Sequence, residues 1–406
     1  MRSYLKIFSL VMLISFLALG LIGCAPADDE VVDDDIDAPE DVEVVKIGFI
    51  GPITGPNAFQ GVGARNAFLM AIEKANESGD FPYEIDTIVL DDASEPATGA
   101  AAAQRIVDDP DIVAAIGHWN SPVAEATIPV FKGAEIPFII WGAISPTLTS
   151  AENYPYVTRV ALTNHQQNVG LVEFLVEDLG YTRFAIVSDT TSYGVTNTES
   201  FTEILAEYPD TELLDVHEIH VGETDFRAVL ASVNELNPEV VKFGGVVTEG
   251  GLVRRQMDEM GMEDVLMTGI SGIADAQLIE VAGAGPIEGT ITAKPGTSIE
   301  KMPGGPEFVA EYEARGYDEP FGVYGPYAYD AVNIILQALK DVGPDRDALI
   351  NAIVNIEYDG LLGLTTFDDI GQTENILVSI QVAQDGEFVD WEDSEYATGD
   401  RTLPGQ

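Results

Sequence analysis

Cysteine is almost absent from this chain of 406 residues, which contains only Cys24. A single cysteine cannot form an intramolecular disulfide, so a folded body must be stabilised by its hydrophobic core. Hydrophobic residues make up 46% of the sequence, far more than a disordered acidic protein carries. The sequence therefore predicts a folded protein without cross-links, with a length typical of two or three domains.

Basic residues are also scarce, because 19 Lys and Arg stand against 69 Asp and Glu and give a formal net charge of −50. A nucleic-acid-binding protein needs a basic surface to hold phosphates, so this excess of acid excludes that class. Net charge of this size indicates solubility and a solvated surface, not a particular fold. It also suggests the hypothesis of a saline habitat, where salt screens the repulsion between acids.

Histidine is limited to four residues, His118, His165, His217 and His220. None of them stands in a spacing with Cys or other His that is typical of a metal site. The sequence also lacks a Gly-x-Ser-x-Gly elbow and a phosphate-binding loop. We therefore expect no catalytic residues, no metal and no cofactor.

Long apolar runs are absent except at 7–20, which follows Arg2 and Lys6 and is too short for a comfortable transmembrane helix. This pattern is typical of a signal peptide. The run ends in Leu21-Ile22-Gly23-Cys24, which resembles the lipobox of bacterial lipoproteins. The resemblance implies a lipoprotein signal peptide at 1–24 and lipid attachment at Cys24. The alternative is a free thiol in an ordinary cleavage region.

The segment 25–44 contains ten acids and no base, so it is expected to repel itself and form an extended, disordered tether. Without these acids and the two N-terminal bases, 59 acids and 17 bases remain, which is a net charge of −42. The body that follows the tether is therefore acidic in its own right.

From residue 44 onward, short apolar runs alternate with amphipathic segments. Strands are predicted at 44–50 and 85–90, with helices at 60–77 and 97–107, and a second alternating series begins near His165. Strands that alternate with helices of this length predict α/β structure with parallel sheets. Because the alternation occurs twice, two similar lobes are expected.

Several short strings occur in the order and spacing typical of one family over essentially the whole body. They are Val45-Lys46-Ile47-Gly48, Gly55-Pro56, Asp91-Asp92-Ala93, Pro96, Ile116-Gly117-His118, Ser121, Tyr193-Gly194, Phe243-Gly244-Gly245 and Ala293-Lys294-Pro295. Together they resemble the leucine/isoleucine/valine-binding protein family. The resemblance implies an α/β fold of two Rossmann-like lobes joined by three hinge crossings, the periplasmic binding protein type 1 fold.

The resemblance also implies a division of the chain. Lobe one is expected at 45–163 plus 295–367, lobe two at 164–294 plus 368–392, and a C-terminal tail at 393–406. The implied function is that of an extracytoplasmic substrate-binding lipoprotein of a branched-chain amino acid type ABC importer. Its expected partners are a small carboxylate ligand, ABC permease and ATPase subunits, and the membrane through the lipid anchor. We expect no nucleic acid and a monomer.

Two loops of lobe one carry most of the expected binding site. In the family, the position of Ser121 binds the ligand carboxylate, and free N–H groups at a helix N-terminus suit the same charge. Alternatively, Ser121 or Asn120 only caps the helix. Trp119 precedes them. The second loop keeps small residues at Gly142 and Ala143 but has Ile144 where a Thr is usual, so that hydroxyl is missing.

Other expected ligand-binding residues lie elsewhere. Phe59 or Gln60 would stand at the cleft edge, or else belong to a turn and helix start. Tyr193 matches a family Tyr that packs on the ligand from lobe two. Val246 stands where amino acid binders often carry an aromatic residue, and Ser271 stands where they carry the acid that pairs with the ligand ammonium.

The change at Ser271 is the most consequential one, because an ammonium buried in a closed cleft needs a carboxylate nearby. Glu249 or Asp189 could supply it, unless each is a solvated or capping acid. Trp119 and Trp141 on the two loops could form an aromatic pocket. Such a pocket suits an aromatic or apolar carboxylate, or a quaternary ammonium. We therefore hypothesise that the ligand is not a standard branched-chain amino acid.

Three functions remain open at this point. The first is the importer component, with an amino acid or a related organic acid as its ligand. The second is a sensing receptor of the same fold, coupled to signalling. The third is a binder of aromatic acids or betaines.

The net charge leads to a prediction about salt. Raising the concentration of potassium chloride should raise the melting temperature, because ions screen the repulsion between surface acids. The measurement is a thermal melt across a series from low to molar salt. A melting temperature that does not change across the series would contradict the prediction.

Overall fold

The structure is a computed structural model that describes residues 44–406. The predicted signal peptide, the lipid attachment at Cys24 and the tether up to residue 43 lie outside the described residues. In the part that is described, no helix combines the length and the apolar character needed to cross a bilayer.

The first sheet has five parallel strands in the order β2-β1-β3-β4-β5. Helices connect the first four strands, as is usual for parallel pairs. The elements are β1 Val44–Gly51, α1 Ala58–Ser78, β2 Glu84–Asp91, α2 Pro96–Val107, β3 Ile112–Gly117, α3 Ser121–Gly133, β4 Phe138–Ile140 and β5 Val157–Arg159.

The second sheet has seven strands in the order β7-β6-β8-β9-β10-β13-β14, of which β13 runs antiparallel to both of its neighbours. The elements up to β10 are α4 Asn164–Glu173, β6 Arg183–Asp189, α5 Ser192–Leu205, β7 Glu212–Ile219, α6 Arg227–Glu235, β8 Val240–Gly244, α7 Val247–Glu259, β9 Leu266–Gly269, α8 Ala276–Ala282, α9 Ala284–Ile287 and β10 Ile291–Pro295.

After β10 the chain returns to the first sheet, where α11 packs along α1 and against β3. It then passes back to add the two antiparallel strands of the second sheet. These elements are α10 Gly305–Ala314, α11 Gly325–Val342, α12 Arg346–Val354, the hairpin strands β11 Tyr358–Gly360 and β12 Gly363–Thr365, β13 Val378–Gln384, β14 Glu387–Asp390 and α13 Glu395–Thr398.

The central strands are mostly apolar and are covered on both faces. Every residue of β3 and of β8 is buried, as expected for parallel strands that lie between two layers of helices. The chain passes between the two sheets three times, at 160–163 after β5, near Gly296 after β10, and at 366–377 between β12 and β13. The predicted α/β fold of two lobes is confirmed.

One buried side chain ties the first and third crossings together. Arg159, at the end of β5, is 0% exposed, and its Nε donates to Gln372 Oε1 at 2.7 Å. Its Nη1 donates to the carbonyl oxygens of Ala143 at 3.2 Å and Ser145 at 2.6 Å. Its Nη2 donates to Thr149 Oγ1 at 2.8 Å. Burial lowers the pKa of Arg159 to about 9, because desolvation disfavours the charge.

Replacing Arg159 tests this joint. Arg159→Met should lower the free energy of unfolding by about 3 kcal/mol, because buried oxygens of Gln372 and Ser145 lose their donor. Urea denaturation measures the change. The matched control is Arg227→Met, which removes exposed ion pairs and should cost less than about 1 kcal/mol. Equal losses in the two variants would contradict the proposed importance of the buried joint.

Candidate functional site: a cavity between the two lobes

A cavity of about 290 Å³ lies where the carboxyl ends of strands from both sheets face each other. Ligands of open α/β sheets bind at this end of the strands, where loops lead into helices. Its walls come from the loops after β2, β3 and β4 in lobe one and from the loops after β6, β8 and β9 in lobe two. The cavity therefore has one wall from each lobe.

The wall of lobe one is organised around His118, which is fully buried. Its Nδ1 lies 2.8 Å from Asp92 Oδ2, and its Nε2 lies 2.9 Å from Thr127 Oγ1. Its backbone carbonyl accepts from the N–H groups of Gly142 at 3.1 Å and Ala143 at 2.8 Å. These contacts use both ring nitrogens and the carbonyl to hold three loops together.

Ser121 begins α3 and lines the cavity. Its Oγ accepts a hydrogen bond from the backbone N–H of Ser145 at 3.1 Å, so its hydroxyl hydrogen remains to be donated. Asn120 is the N-cap residue, but its side chain makes no capping hydrogen bond, and its Oδ1 is buried without a partner among the described residues. Together with the first-turn N–H groups of α3, the Ser121 hydroxyl offers donors suited to an anion.

Two carbonyl groups in the loop after β4 have different surroundings. The carbonyl of Ala143 points away from the cavity toward Arg159, whereas Gly142 lines the cavity. The carbonyl of Gly142 accepts no hydrogen bond from residues 44–406 and is available to a ligand donor. Ile144 also lines the cavity and contributes an apolar side chain.

The wall of lobe two contains Tyr193, Val246, Ser271 and Asp189. Tyr193 is only 8% exposed, and its hydroxyl lies so close to Gly272 that a Cβ at that position would collide with it. Ser271 Oγ accepts from the hydroxyl of Tyr324 at 2.8 Å, which joins lobe two to lobe one across the cleft. Burial raises the pKa of Tyr324 to about 12, so this phenol remains a neutral donor.

The structure brings together eight of the eleven residues that the sequence predicts for ligand binding. They are Trp119, Asn120, Ser121, Gly142, Ile144, Tyr193, Val246 and Ser271. Three do not line the cavity. Ala143 lies behind it, and Phe59 lines a separate groove with Phe321. Gln60 is buried, and its Nε2 donates to Asp275 Oδ2 at 2.8 Å, which makes a second bridge between the lobes.

The two tryptophans of the cleft loops have different roles. Trp119 lines the cavity. Trp141 is 0% exposed, and its ring stacks on Phe49 at 5.9 Å between centroids and meets the edge of Tyr324 at 6.2 Å. Trp141 therefore belongs to the core of lobe one and supports the ring of Tyr324, which does line the cavity.

Sequence reasoning missed several lining residues, among which Tyr324 is the most informative. Tyr324 directly precedes Gly325-Pro326, and a Pro in the first turn is a signal for a helix start. That signal marks the loop that opens α11, but it does not show that the loop reaches the cleft. The other residues missed include Asn57 and Ser94, whose side chains form a hydrogen bond of 2.9 Å at the cavity.

The acids of the cleft are placed unequally. Asp189 lines the cavity and is 4% exposed, and Glu95 lies at its mouth and is exposed. Glu249 is buried and does not line the cavity, and its Oε1 accepts from the N–H of Gly222 at 2.8 Å. Within the described residues, no Lys, Arg or His side chain lines this cavity.

One group of carboxylates outside the cleft could hold a cation. Asp390, Glu392 and Asp393 lie close together, and Lys301 Nζ pairs with them at 3.0, 2.5 and 3.4 Å respectively. The ammonium of Lys301 therefore occupies the space between these carboxylates and offsets one of their three negative charges.

The chain belongs to the periplasmic binding protein family, whose model matches residues 44–387. Proteins of this family bind small molecules and work with ABC transporters. A relative in Pseudomonas aeruginosa, a leucine-, isoleucine-, valine-, threonine- and alanine-binding protein, is 26% identical over 338 residues. That match covers 82% of this chain and 88% of the relative.

Two solved structures show the same fold. The branched-chain amino acid transporter substrate-binding protein of Streptococcus pneumoniae, in complex with isoleucine, has a TM-score of 0.78 and 20% identity and covers 86% of this chain and 99% of its own. A solute-binding protein of Rhodopseudomonas palustris, in complex with 3,4-dihydroxybenzoic acid, has a TM-score of 0.75 and 23% identity and covers 86% of this chain and 96% of its own.

The buried bridge between the lobes gives a prediction about pH. Burial is the main cause that raises the pKa of Asp275 to about 6 from its ordinary 3.8. Between these two values the folded protein keeps a proton that the unfolded chain has released. The contribution of Asp275 to stability is therefore highest below about pH 4, falls as the pH rises to about 6, and stays lower above it.

Asp275→Asn removes the free-energy cost of ionising a buried carboxyl and keeps a side-chain oxygen for the N–H of Gln277. The new NH2 group replaces the oxygen that accepts from Gln60, and rotation of the Gln60 amide presents its unpaired Oε1 as the acceptor. At about pH 8 the variant should be more stable than the parent by about 2 kcal/mol, and below about pH 4 the two should be equal. Urea denaturation at both pH values measures the difference. A difference that is the same at both values would show that Asp275 does not titrate as expected.

Proposed function

We propose that this chain is an extracytoplasmic substrate-binding lipoprotein of a branched-chain amino acid type ABC importer. It captures a small ligand that carries a carboxylate, an amino acid or a related organic acid, and delivers it to the permease. The observation that carries the proposal is the cavity between the lobes, with the Ser121 hydroxyl and the start of α3 on one wall and Tyr193 on the other. The Pseudomonas relative, which binds amino acids by name, supports it.

The crossings of the chain between the two sheets support a division into lobes. We infer that lobe one comprises 45–163 with 295–367, and lobe two 164–294 with 368–392, followed by the tail 393–406. The return of α11 to pack on α1 and the addition of β13 to the second sheet support these boundaries. The lipid anchor at Cys24 is part of the same proposal and rests on the lipobox-like sequence before it.

Capture would work by closure of the two walls on the ligand. Domain closure around a hinge is the usual movement of such proteins, and it requires contacts that differ between the open and closed states. Tyr324–Ser271 and Gln60–Asp275 are contacts of this kind, because each joins residues from different lobes. A ligand held at Ser121 would add contacts to Tyr193 only when the lobes are closed.

An aromatic acid is a second candidate ligand. Trp119, Tyr193 and Tyr324 line the cavity, and the Rhodopseudomonas palustris neighbour was solved with 3,4-dihydroxybenzoic acid. A thermal-shift screen over amino acids, aromatic acids and betaines separates the candidates, because a ligand stabilises the state that binds it. A sensing receptor would bind the same ligand without an importer.

Tyr193→Ala should weaken binding of the best ligand from this screen by at least about 10-fold, because the ring covers the ligand from lobe two. Isothermal titration calorimetry measures the dissociation constant, and a thermal melt without ligand checks the fold. The matched control is Tyr208→Ala, whose hydroxyl contacts Glu177 outside the cavity and whose loss should leave affinity unchanged. An unchanged dissociation constant in Tyr193→Ala would remove this residue from the site.

A further inference from the structure

The charged groups of the cavity are all acids. Among the described residues that line it, Glu95 and Asp189 are charged, and no side chain carries a positive charge. Glu95 is exposed at the mouth, where water screens its charge. Asp189 ends β6 and is 4% exposed, so its charge acts inside the cavity.

The carboxylate of Asp189 has only one oxygen engaged. Oδ1 accepts from the backbone N–H of Thr191 at 2.9 Å and from its hydroxyl at 2.5 Å. Oδ2 accepts no hydrogen bond and joins no ion pair with any residue from 44 to 406. Because Asp189 lines the cavity and Oδ2 is not among the buried unpaired oxygens, this atom is open to a donor that comes with the ligand.

Lys242 is the basic residue whose charge acts on Asp189, but its ammonium is hydrogen-bonded to a different residue. Lys242 is fully buried in β8, and its Nζ donates to Asn197 Oδ1 at 2.6 Å. Burial raises the pKa of Asp189 in spite of the hydrogen bonds from Thr191 and the charge of Lys242. A positive group of the ligand would favour the ionised carboxylate and offset this desolvation.

The surroundings of Asp189 suit a cation in a second way. The aromatic residues Trp119, Tyr193 and Tyr324 line the same cavity, and aromatic faces attract a cationic nitrogen. The opposite wall has the opposite polarity, because the Ser121 hydroxyl and the N-terminus of α3 favour a negative group. The cavity therefore has an anion-binding side in lobe one and a cation-binding side in lobe two.

We propose that Asp189 binds the cationic nitrogen of a zwitterionic ligand whose carboxylate lies at Ser121. The inference rests on the proposed function and specifies its ligand class, a carboxylate joined to a primary or quaternary ammonium. Asp189 thereby pairs with the ligand nitrogen, as an acid at the position of Ser271 does in the amino acid binders. In this chain the hydroxyl of Ser271 is hydrogen-bonded to Tyr324 instead. Carboxylates with an uncharged tail, aromatic acids among them, leave Oδ2 of Asp189 without a partner and bind weakly.

The test uses pairs of probes that differ in the cationic nitrogen. The pairs are leucine with 4-methylpentanoate, phenylalanine with 3-phenylpropanoate, and trimethylglycine with its carbon isostere 3,3-dimethylbutanoate. Calorimetry on the parent protein should show that the zwitterion of the pair that fits binds about 100-fold tighter than its uncharged-tail partner. Asp189→Asn should remove that preference by weakening the zwitterion about 100-fold, with little effect on the partner.

Glu249→Gln is the matched control, because Glu249 is a buried acid of lobe two that does not line the cavity. It should retain the preference of the parent. Asn at 189 keeps an oxygen for Thr191, and a thermal melt checks that the variant folds. Should it not fold, the paired probes on the parent protein still decide the question.

The two failures are distinguishable. Equal or tighter binding of the uncharged-tail acids, or an Asp189→Asn variant that keeps the preference for the zwitterion, overturns the role of Asp189 and leaves the proposed function standing. If no amino acid, betaine or carboxylate binds at all, the proposed function itself fails, and this inference fails with it.

Discussion

The buried guanidinium of Arg159 is the constraint on which the rest of the structure depends. A guanidinium without solvent must satisfy its N–H groups with nearby acceptors, and here these are the cleft loop at Ala143 and Ser145 and the crossing segment at Gln372. Gln372 in turn donates to the carbonyl of Ala161 in the first crossing at 3.0 Å. One side chain therefore couples the wall that faces the ligand to two of the three crossings.

His118 shows how polar chemistry is used for construction in this protein. A buried His bonded to a carboxylate and a hydroxyl is an arrangement that is also found in catalytic sites. Here both ring nitrogens are engaged with Asp92 and Thr127, and the carbonyl of His118 positions the loop that begins at Gly142. The result places Ser145 so that its N–H reaches Ser121, which fixes the hydroxyl that we propose for the ligand carboxylate.

The acidity of the molecule and the chemistry of its cleft are separate matters. A net charge of −50 would repel an anion over long distances, but salt screens surface charges beyond about 8 Å. The charge that the cavity favours in a ligand is therefore determined by the few groups that line it. In the cavity those groups are the donors of α3 on one side and Asp189 on the other. The hydrogen bond from Tyr324 to Ser271 joins the two walls of the cavity, and in the proposed mechanism such contacts form on closure.

The sequence by itself determined the α/β fold, the two series of strands and helices, and the loops on which Ser121, Gly142 and Tyr193 lie, because periodicity and Pro or Gly signals are local. The resemblance to the leucine/isoleucine/valine-binding proteins also implies an acid at the position of Ser271, where this sequence has a hydroxyl. Only the tertiary structure decided that Trp141 is core, that Gln60 meets Asp275, and that Tyr324 reaches the cleft. These contacts join residues far apart in the chain, so no local pattern records them.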